Sequence, residues 1–281
     1  MEIQKTGGSR FLGPLKRTSS TLRKTNKQLA KVLEQLSNAR RINRASDDAA
    51  GLAVAEQLST QVRGFKTAGR NVSDAMSALN VADGASNEIQ SMLQRQRELA
   101  VQARSDTLTD DQRGQLDVEY QNLSQEINRI ASGTEFNTQD VTSGQGLASG
   151  NAQIQVGPNA GDTVTLPNVD MTTVGLGINS TSIADSASAA DAMTAIDSAM
   201  EDMNTQRATI GAVVNRFEST QNNLMVSETN TTAAESVLRD QDMAMGLAEL
   251  TRNRLLQETG TRAFERFTDI SANHILGLLR D

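Results

Sequence analysis

The sequence predicts a mainly α protein: an elongated antiparallel coiled coil or helical bundle with a small β-hairpin region in the middle of the chain. In several long segments, apolar residues recur at alternating steps of three and four, the spacing of helices that pack side by side. Aromatic residues make up only 2% of the 281 residues, whereas compact globular cores bury much of their area on aromatic side chains. One central segment alternates apolar and polar residues on both sides of a turn, which is typical of a hairpin.

The first helical segment follows an irregular start and carries a leucine stripe. Glycines and a proline within residues 1–14 predict irregular backbone, and the helical pattern begins at about Leu15. The stripe consists of Leu22, Leu29, Leu33 and Leu36. A single helix cannot bury such a stripe by itself, so we expect a partner helix to cover it.

Charge is distributed unevenly along the chain. Residues 1–44 hold eleven Lys and Arg and two Glu, a net charge of +9, although the whole chain carries −7. A basic arm on an acidic body is compatible with binding to nucleic acid, to an anionic membrane or to the acidic part of other chains. The leucine stripe lies on the same segment, and Phe11 is the one aromatic residue there. These features favour a protein partner over nucleic acid.

The second helical segment begins within RRINRASDDAAGLAVAEQL, residues 40–58, where polar residues give way abruptly to apolar ones. Ser46 is the predicted N-cap, with Asp47 and Asp48 in the first turn, where carboxylates meet the positive end of the helix dipole. A heptad seam follows at Leu58, Val62, Phe65, Gly69, Val72, Met76 and Leu79. The helix is expected to break near residues 106–111.

A shorter helix and a hairpin come next. Thr109 is the predicted N-cap of the helix and Gly133 its end. Its seam consists of Leu116, Tyr120, Leu123, Ile127 and Ile130. In the Gly-, Ser- and Thr-rich stretch that follows, a hairpin near residues 152–167 would place Ile154 and Val156 opposite Val164 and Leu166. This is the one convincing strand signal in the sequence.

A third long helix is predicted from about Ser186, and it keeps the heptad pattern as far as Leu224. Helical character resumes at Leu238 and, after Gly260, runs on through Leu278. Long helices near both chain ends flank the central hairpin. Since none of them can bury its stripe alone, we expect the two ends to pack together.

The residue types needed for catalysis are scarce. The chain has one histidine, His274, and no cysteine, so a zinc site or a nucleophile with a histidine base is not expected. Neither a G-x-G-x-x-G sequence nor a P-loop is present. We expect no enzyme, no cofactor and no metal. No apolar stretch approaches the ~20 residues that span a bilayer, so no membrane partner is expected either.

Several segments together resemble bacterial flagellin, the subunit of the flagellar filament. RINRASDDAAGLAVAEQL resembles the N-terminal signature of that family, and further similar segments follow in family order. They are LQRQRELAVQA (93–103), EINRIASGTEFN (126–137), IQVGPNAGDTV (154–164), GAVVNRFESTQNNL (211–224) and RDQDMAMGLAELT (239–251). The resemblance implies a structural protein that assembles with copies of itself into an extracellular filament for motility.

The resemblance also implies a division into two domains. Residues 1–45 plus 240–281 would form an inner, terminal coiled-coil domain with its linker, and residues 46–239 an outer rod-like domain that holds the hairpin. The short gap between hairpin and third long helix indicates a minimal member without large outer domains. The family further implies export through the flagellar type III channel, an export chaperone and a filament cap.

Two sets of site residues follow from the resemblance. Packing between subunits is expected to involve Leu22, Leu29, Leu33, Leu36, Arg41, Asn43, Asp47, Asp48, Leu250, Phe264, Phe267, Ile275 and Leu278. The arginines of the linker could instead cap carbonyl groups within the chain. Recognition by a Toll-like receptor would involve Gln94, Arg95, Glu98, Leu99 and Glu119, which could equally be a polar helix face.

Two alternative functions stay open from the sequence. A hook–filament junction protein shares parts of the N-terminal pattern. A coiled-coil interaction or adaptor protein would instead form closed dimers, and a version that binds polyanions would lose affinity steeply with salt.

Overall fold

The computed structural model describes the backbone of residues 8–278 and the side chains of residues 16–270. The elements within this range, in chain order, are helix α1 (Gly8–Asn38), helix α2 (Ala49–Ala103), helix α3 (Asp110–Gly133), strands β1 (Glu135–Phe136), β2 (Gln139–Asp140), β3 (Gln153–Gln155) and β4 (Thr163–Thr165), helix α4 (Ser186–Arg239) and helix α5 (Met243–Leu278). The strands form two small antiparallel sheets, β1 with β2 and β3 with β4. The predicted mainly α fold is confirmed.

The described residues fall into two compact units. One contains the two ends of the chain, as far as Ser59 and from Thr231 onward, and the other is Thr60–Asn230. The boundaries expected from the sequence, after residues 45 and 239, fall in the loop before α2 and at the end of α4. As a division into domains they stay a prediction.

The Thr60–Asn230 unit has its core between α2, α3, α4 and the two hairpins. Its largest fully buried side chains include Ile89, Leu93, Tyr120, Ile127, Ile196, Met203, Ile210 and Phe217. Most of these positions belong to the heptad seams that the sequence predicts for the three helices. Tyr120 is the one tyrosine of the chain, and its hydroxyl lies 2.6 Å from the Thr181 hydroxyl, which satisfies its hydrogen bonding.

The buried face of α2 differs in part from the predicted seam. Val72 is buried as predicted, but Gly69 and Met76 are only half-buried, and Ala68 and Ala75 are buried beside them. Met76 still packs against the core, as predicted. The predicted seam leaves out Ala68 and Ala75 because alanine adds little to a hydrophobic pattern. Its short side chain nevertheless allows neighbouring helices to approach closely and to pack densely.

The start of α2 is also corrected. The helix begins at Ala49, and the Asp48 carboxylate accepts the backbone N–H of Gly51 at 2.8 Å, which makes Asp48 the N-cap instead of Ser46. A Cβ on Gly51 would lie 2.4 Å from an Asp48 carboxylate oxygen. The cap therefore needs glycine at this position. The prediction for α3 is confirmed, since Thr109 and Gln112 form a capping box.

The hairpin of β3 and β4 lies where the sequence predicts it, and Ile154 is opposite Val164. Its register differs from the prediction for the other two residues, since Val156 bonds to Asp162 and Leu166 to Ala152. The hairpin of β1 and β2 is not predicted by the sequence. Its turn residues Asn137 and Thr138 have φ angles of 51° and 62°, the left-handed conformation of a two-residue hairpin turn. Strands of two residues are too short to show an alternating pattern, and the turn lacks the glycine that usually marks such a hairpin.

Three helix boundaries also differ from prediction. α1 begins at Gly8 instead of near Leu15, Leu238 belongs to α4, and Gly260 lies inside α5. Helix propensity is a weak preference that contacts with other elements override. Glycine is unfavourable inside a helix, but Gly260 lies against Leu22 of α1. Packing against the partner helix therefore accompanies the continuation of α5 through this residue.

Candidate functional site

Helices α1 and α5 pack against each other along most of their described length. Leu36 lies against Gly246 near the start of α5, and Leu22 lies against Gly260 further along it. Residue numbers therefore rise along one helix as they fall along the other, and the pair is antiparallel. The seam of α1 consists of Leu22, Thr25, Leu29, Val32 and Leu36. The seam of α5 consists of Gly246, Leu250, Asn253, Gln257, Gly260 and Phe264.

Both seams follow heptad steps of three and four, but their membership differs from the predicted stripe. Thr25 and Val32 are each only 7% exposed, whereas Leu33 of the predicted stripe is 43% exposed and lies off the seam. The Thr25 hydroxyl donates to the carbonyl of Thr21, so this polar residue can be buried without an unsatisfied donor. Sequence reasoning missed Thr25 because it ranks residues by hydrophobicity.

The remaining predicted packing residues of α5 have different environments. Leu250 and Phe264 are half-buried on the seam with α1. Phe267 is 43% exposed. Ile275 and Leu278 lie outside the residues whose side chains the structure describes, as does His274.

A second apolar face of α5 is exposed, about a third of a turn away from the seam. Its large members are Met245, Leu255, Leu256 and Ile270, with exposed fractions of 59%, 58%, 47% and 60%. Leu255 and Leu256 line a shallow groove together with Ala248, Thr251, Arg252 and Thr259. Exposed apolar patches such as the one around Leu255 and Leu256 mark sites of interaction with other molecules.

The linker between α1 and α2 is held within the unit formed by the chain ends. Ile42 is buried and lies over Gly51, at whose position a Cβ would be 2.9 Å from its Cδ1. The backbone N–H of Arg41 donates to the carbonyl of Arg239, and that of Gln241 donates to the carbonyl of Ala39. The linker is thus paired with the segment that joins α4 to α5.

Polar side chains of the linker bind groups in their own chain. The Arg41 guanidinium donates to the carbonyl of Leu238, in the last turn of α4, at 2.8 Å. The Asn43 amide donates to the carbonyl of Arg40. Of the two interpretations open from the sequence, capping of a carbonyl within the chain therefore describes the observed contact of Arg41.

Asp47 joins the linker to α1. Lys31 of α1 lies 2.9 Å from its carboxylate, which also accepts the backbone N–H groups of Arg44 and Asn43. These groups hold the pKa of Asp47 below its ordinary value, Lys31 contributing most. Glu34 pairs with Arg44 beside it at 2.8 Å.

Arg239 is a residue of this region that sequence reasoning missed. Its side chain is only 15% exposed and pairs with Glu56 of α2 at 3.1 Å and with Glu235 at 3.5 Å. Glu56 is 183 positions away along the chain, so no local pattern could indicate the pair.

Basic side chains cover the side of α1 that faces away from α5. The exposed ones are Lys16, Arg17, Arg23, Lys24 and Lys27. At 3.6 residues per turn, these positions fall on one face of the helix, opposite the seam. The basic arm predicted from composition is therefore a single cationic face.

The residues assigned by resemblance to receptor recognition lie on α2 and α3. Arg95 donates to Glu119 on α3 at 2.7 Å and to Glu98 at 3.1 Å, and these bonds raise its pKa, Glu119 contributing most. Gln94 is exposed beside them. Leu99 is only 1% exposed and belongs to the core, so it does not share this polar surface.

Within the described residues, no cluster of His, Cys, Asp and Glu has an arrangement that could hold a metal ion. None of the described helices combines the length and apolar character needed to cross a membrane.

Comparisons with known proteins identify two matching regions. The bacterial flagellin N-terminal helical region matches residues 13–146, and the bacterial flagellin C-terminal helical region matches residues 193–278. A flagellin of Halalkalibacterium halodurans is 40% identical over 230 residues, which cover 81% of this chain and 84% of the relative. Flagellin FlaB1 of Treponema pallidum is 36% identical over 273 residues, which cover 92% and 95% of the two chains.

Among solved structures, one from Vibrio parahaemolyticus assigned to a flagellar hook-associated protein matches with a TM-score of 0.56 and 14% identity. The match covers 69% of this chain and 99% of that one. At this identity the match shows a shared fold and nothing about function.

Proposed function

We propose, since this chain belongs to the bacterial flagellin family and is a structural subunit of the flagellar filament, that its two terminal helices supply the main contacts between subunits. The exposed apolar face of α5 is the observation that carries the proposal. A filament is an open assembly in which each subunit offers one surface and receives another. Met245, Leu255, Leu256 and Ile270 would lose their exposure to water when a neighbouring copy covers them.

The predicted packing residues then have three different roles. Leu22, Leu29, Leu36, Leu250 and Phe264 hold α1 and α5 together. Leu33, which is exposed, contacts neighbouring subunits, and we propose the same for Phe267, Ile275 and Leu278. Arg41, Asn43, Asp47 and Asp48 act indirectly, because their bonds fix the linker that positions the helix pair.

The cationic face of α1 is proposed to draw subunits together. Residues 1–44 carry +9, and the remainder of the chain therefore carries −16 for a total of −7. Opposite charges steer encounters between copies over about a Debye length, ~10 Å at 0.1 M salt. Elongation should therefore slow as salt rises, and elongation rates that do not respond to salt would contradict this role.

Export and partners are proposed from family membership. The chain would pass through the flagellar type III channel, meet an export chaperone on the way and be placed at the filament tip by a cap. The proposed location is extracellular, in the filament. Recovery of the chain in bulk from the cell surface would support this, and its confinement to the cell interior would refute it.

Recognition by a Toll-like receptor is proposed for Gln94, Arg95, Glu98 and Glu119. An exposed arginine between two carboxylates offers the kind of anchor that interfaces use. Leu99 is left out because it is buried in the core. Receptor binding should weaken in Arg95→Ala while folding is unchanged, and full binding by this variant would contradict the assignment.

Assembly tests the main proposal directly. A chain with Leu255→Gln and Leu256→Gln should fold but form no filaments in electron micrographs, because the face offered to the next subunit is polar. The matched control is Val174→Gln, which changes a valine that is 69% exposed in the loop before α4 and should still assemble. Removal of residues 256–281 should also leave a chain that does not polymerise. Normal filaments from either altered chain, or closed dimers from the unaltered one, would refute the proposal.

A further inference from the structure

Two glycines of α5 occupy the places where leucines of α1 come closest. A Cβ on Gly246 would lie 2.8 Å from Cδ2 of Leu36, and a Cβ on Gly260 would lie 3.2 Å from Cδ1 of Leu22. The first distance is shorter than any ordinary contact, and the second would require Leu22 to move. Each leucine therefore packs into space beside a glycine, and a Cβ there would force the leucine to shift, more at Gly246 than at Gly260.

Several other helical glycines have open surroundings. A Cβ at Gly69, Gly84 or Gly211, in α2 and α4, would meet nothing within 4 Å. Glycine weakens the interior of a helix relative to alanine. At Gly246 and Gly260 the missing side chain leaves room for a leucine of the partner helix. At Gly211 no neighbour lies in the corresponding space.

The two contacts have the same spacing on both helices. Leu22 and Leu36 are fourteen residues apart, and so are Gly246 and Gly260, which is two heptads in each case. A shift by one heptad in one direction places Asn253 opposite Leu36. The same shift in the other direction moves Leu36 past Met243, the first residue of α5. The observed register alone keeps both of these leucines on a glycine.

We propose that Gly246 and Gly260 set the register of the α1–α5 pair, each by receiving a leucine of α1. The rest of the seam cannot do this as sharply, because its residues, apolar as well as polar, repeat the same heptad spacing and a shift by one heptad brings seam residues together again. The register decides where along α1 the exposed apolar face of α5 begins. The link between register and exposed face rests on the proposed function and deepens it. The register of α1 against α5 can be tested on the single chain.

Engineered cysteines measure the register, since the chain has no cysteine of its own. Val32 and Leu250 each lie one helical turn from the contact of Leu36 with Gly246, so Val32→Cys with Leu250→Cys reports the observed register. Val32→Cys with Gln257→Cys reports a shift of one heptad. In the full-length chain the first pair should form a disulfide readily and the second should not. Equal yields from the two pairs would overturn the proposal.

Replacing the glycines should reduce this preference. With Gly246→Ala and Gly260→Ala added, we expect the ratio of the two disulfide yields to fall about tenfold, since overpacking destabilises the observed register. Gly211→Ala is the matched control, and it should leave the ratio unchanged because its surroundings are open. An unchanged ratio in the double alanine variant would overturn the proposal.

A second variant tests whether the effect of Gly246→Ala comes from its contact with Leu36 or from general misfolding. Leu36→Ala combined with Gly246→Ala makes room for the new methyl group and should restore part of the ratio that Gly246→Ala loses alone. Failure of this rescue would count against a direct contact. Near-ultraviolet circular dichroism of Tyr120, the one tyrosine in a chain without tryptophan, checks that the Thr60–Asn230 unit stays folded.

Filament formation is scored separately by electron microscopy. If the disulfide ratio responds as expected but the unaltered chain forms no filaments, the proposed function fails and the register inference stands. If filaments form and the ratio does not respond to alanine, the register inference fails and the proposed function stands.

Discussion

At the residue scale, Asp47 shows how one carboxylate organises the linker. It binds Lys31 of α1 and two backbone N–H groups of its own loop, those of Arg44 and Asn43. The bonded, charged form is favoured in the folded chain, so the pKa of this carboxyl lies below its ordinary value. Such a group links the stability of the fold to pH.

The sign of this effect follows from the direction of the shift. Stability contributed by Asp47 is fully present above the ordinary carboxyl pKa of about 4 and is lost as pH falls through the lower folded value. Asp47→Asn should therefore destabilise the chain more at pH 7 than at pH 2. Urea unfolding at the two pH values measures this, with Asp191→Asn, an exposed carboxyl of α4, as control. An equal loss of stability at both pH values would contradict the role of the charge.

Individual residues also show where sequence reasoning stops. The sequence indicates that carboxylates lie near the start of α2, but Asp48 caps the helix because Gly51 leaves room for its side chain. Thr25 is buried through a hydrogen bond to the carbonyl of Thr21, which hydrophobicity does not reveal. Arg239 pairs with Glu56, a contact between distant parts of the chain. Spatial neighbours decide each of these cases, and a single sequence does not contain them.

At the element scale, the turn between α2 and α3 depends on Arg113. Its guanidinium donates to the carbonyl of Ala103 at 2.9 Å and to that of Ser105 at 3.1 Å, and it pairs with Asp110. The first two acceptors lie at or just beyond the end of α2, where carbonyl groups lack partners within the helix. Arg113 is 7% exposed, and its removal takes the donor from the Ala103 carbonyl, whereas the Ser105 carbonyl keeps the backbone N–H of Leu108.

Arg113→Ala should lower the free energy of unfolding by about 2–3 kcal/mol, because several charge-assisted hydrogen bonds are lost at a buried site. Arg129→Ala is the matched control. Arg129 pairs with Glu126 on the same helix and its side chain is 69% exposed, so the loss should be much smaller than for Arg113. Thermal or urea unfolding of the two variants measures the difference. Equal effects would show that Arg113 does not hold the turn.

Elements differ in how well the sequence predicts them. α3 is predicted with both its ends, and the hairpin of β3 and β4 is predicted in position, because caps, heptads and alternation are local signals. The hairpin of β1 and β2 is missed, since two-residue strands carry no alternation. The buried face of α2 includes alanines that the predicted seam leaves out, because helix packing depends on shape as well as hydrophobicity.

At the scale of the whole molecule, the two seams of the terminal helices explain why the chain ends contain so many apolar residues. One face of α5 packs on α1 and another stays exposed in the single chain. The sequence predicts that the ends pair, but not which residues of α5 remain for a neighbour, because both faces are apolar. The fold is shared with a hook-associated structure, whereas 40% identity with a flagellin over most of the chain distinguishes the filament subunit.

The central claim is that the exposed face of α5 is buried between subunits, and thiol labelling tests it most directly. Leu256→Cys places a single cysteine on this face, and Val174→Cys places one in the exposed loop before α4. If neighbouring subunits cover this face, both cysteines should react quickly in the monomer, and only the one at position 256 should become protected in assembled filaments. Equal reactivity at position 256 in monomer and filament would show that the face stays exposed.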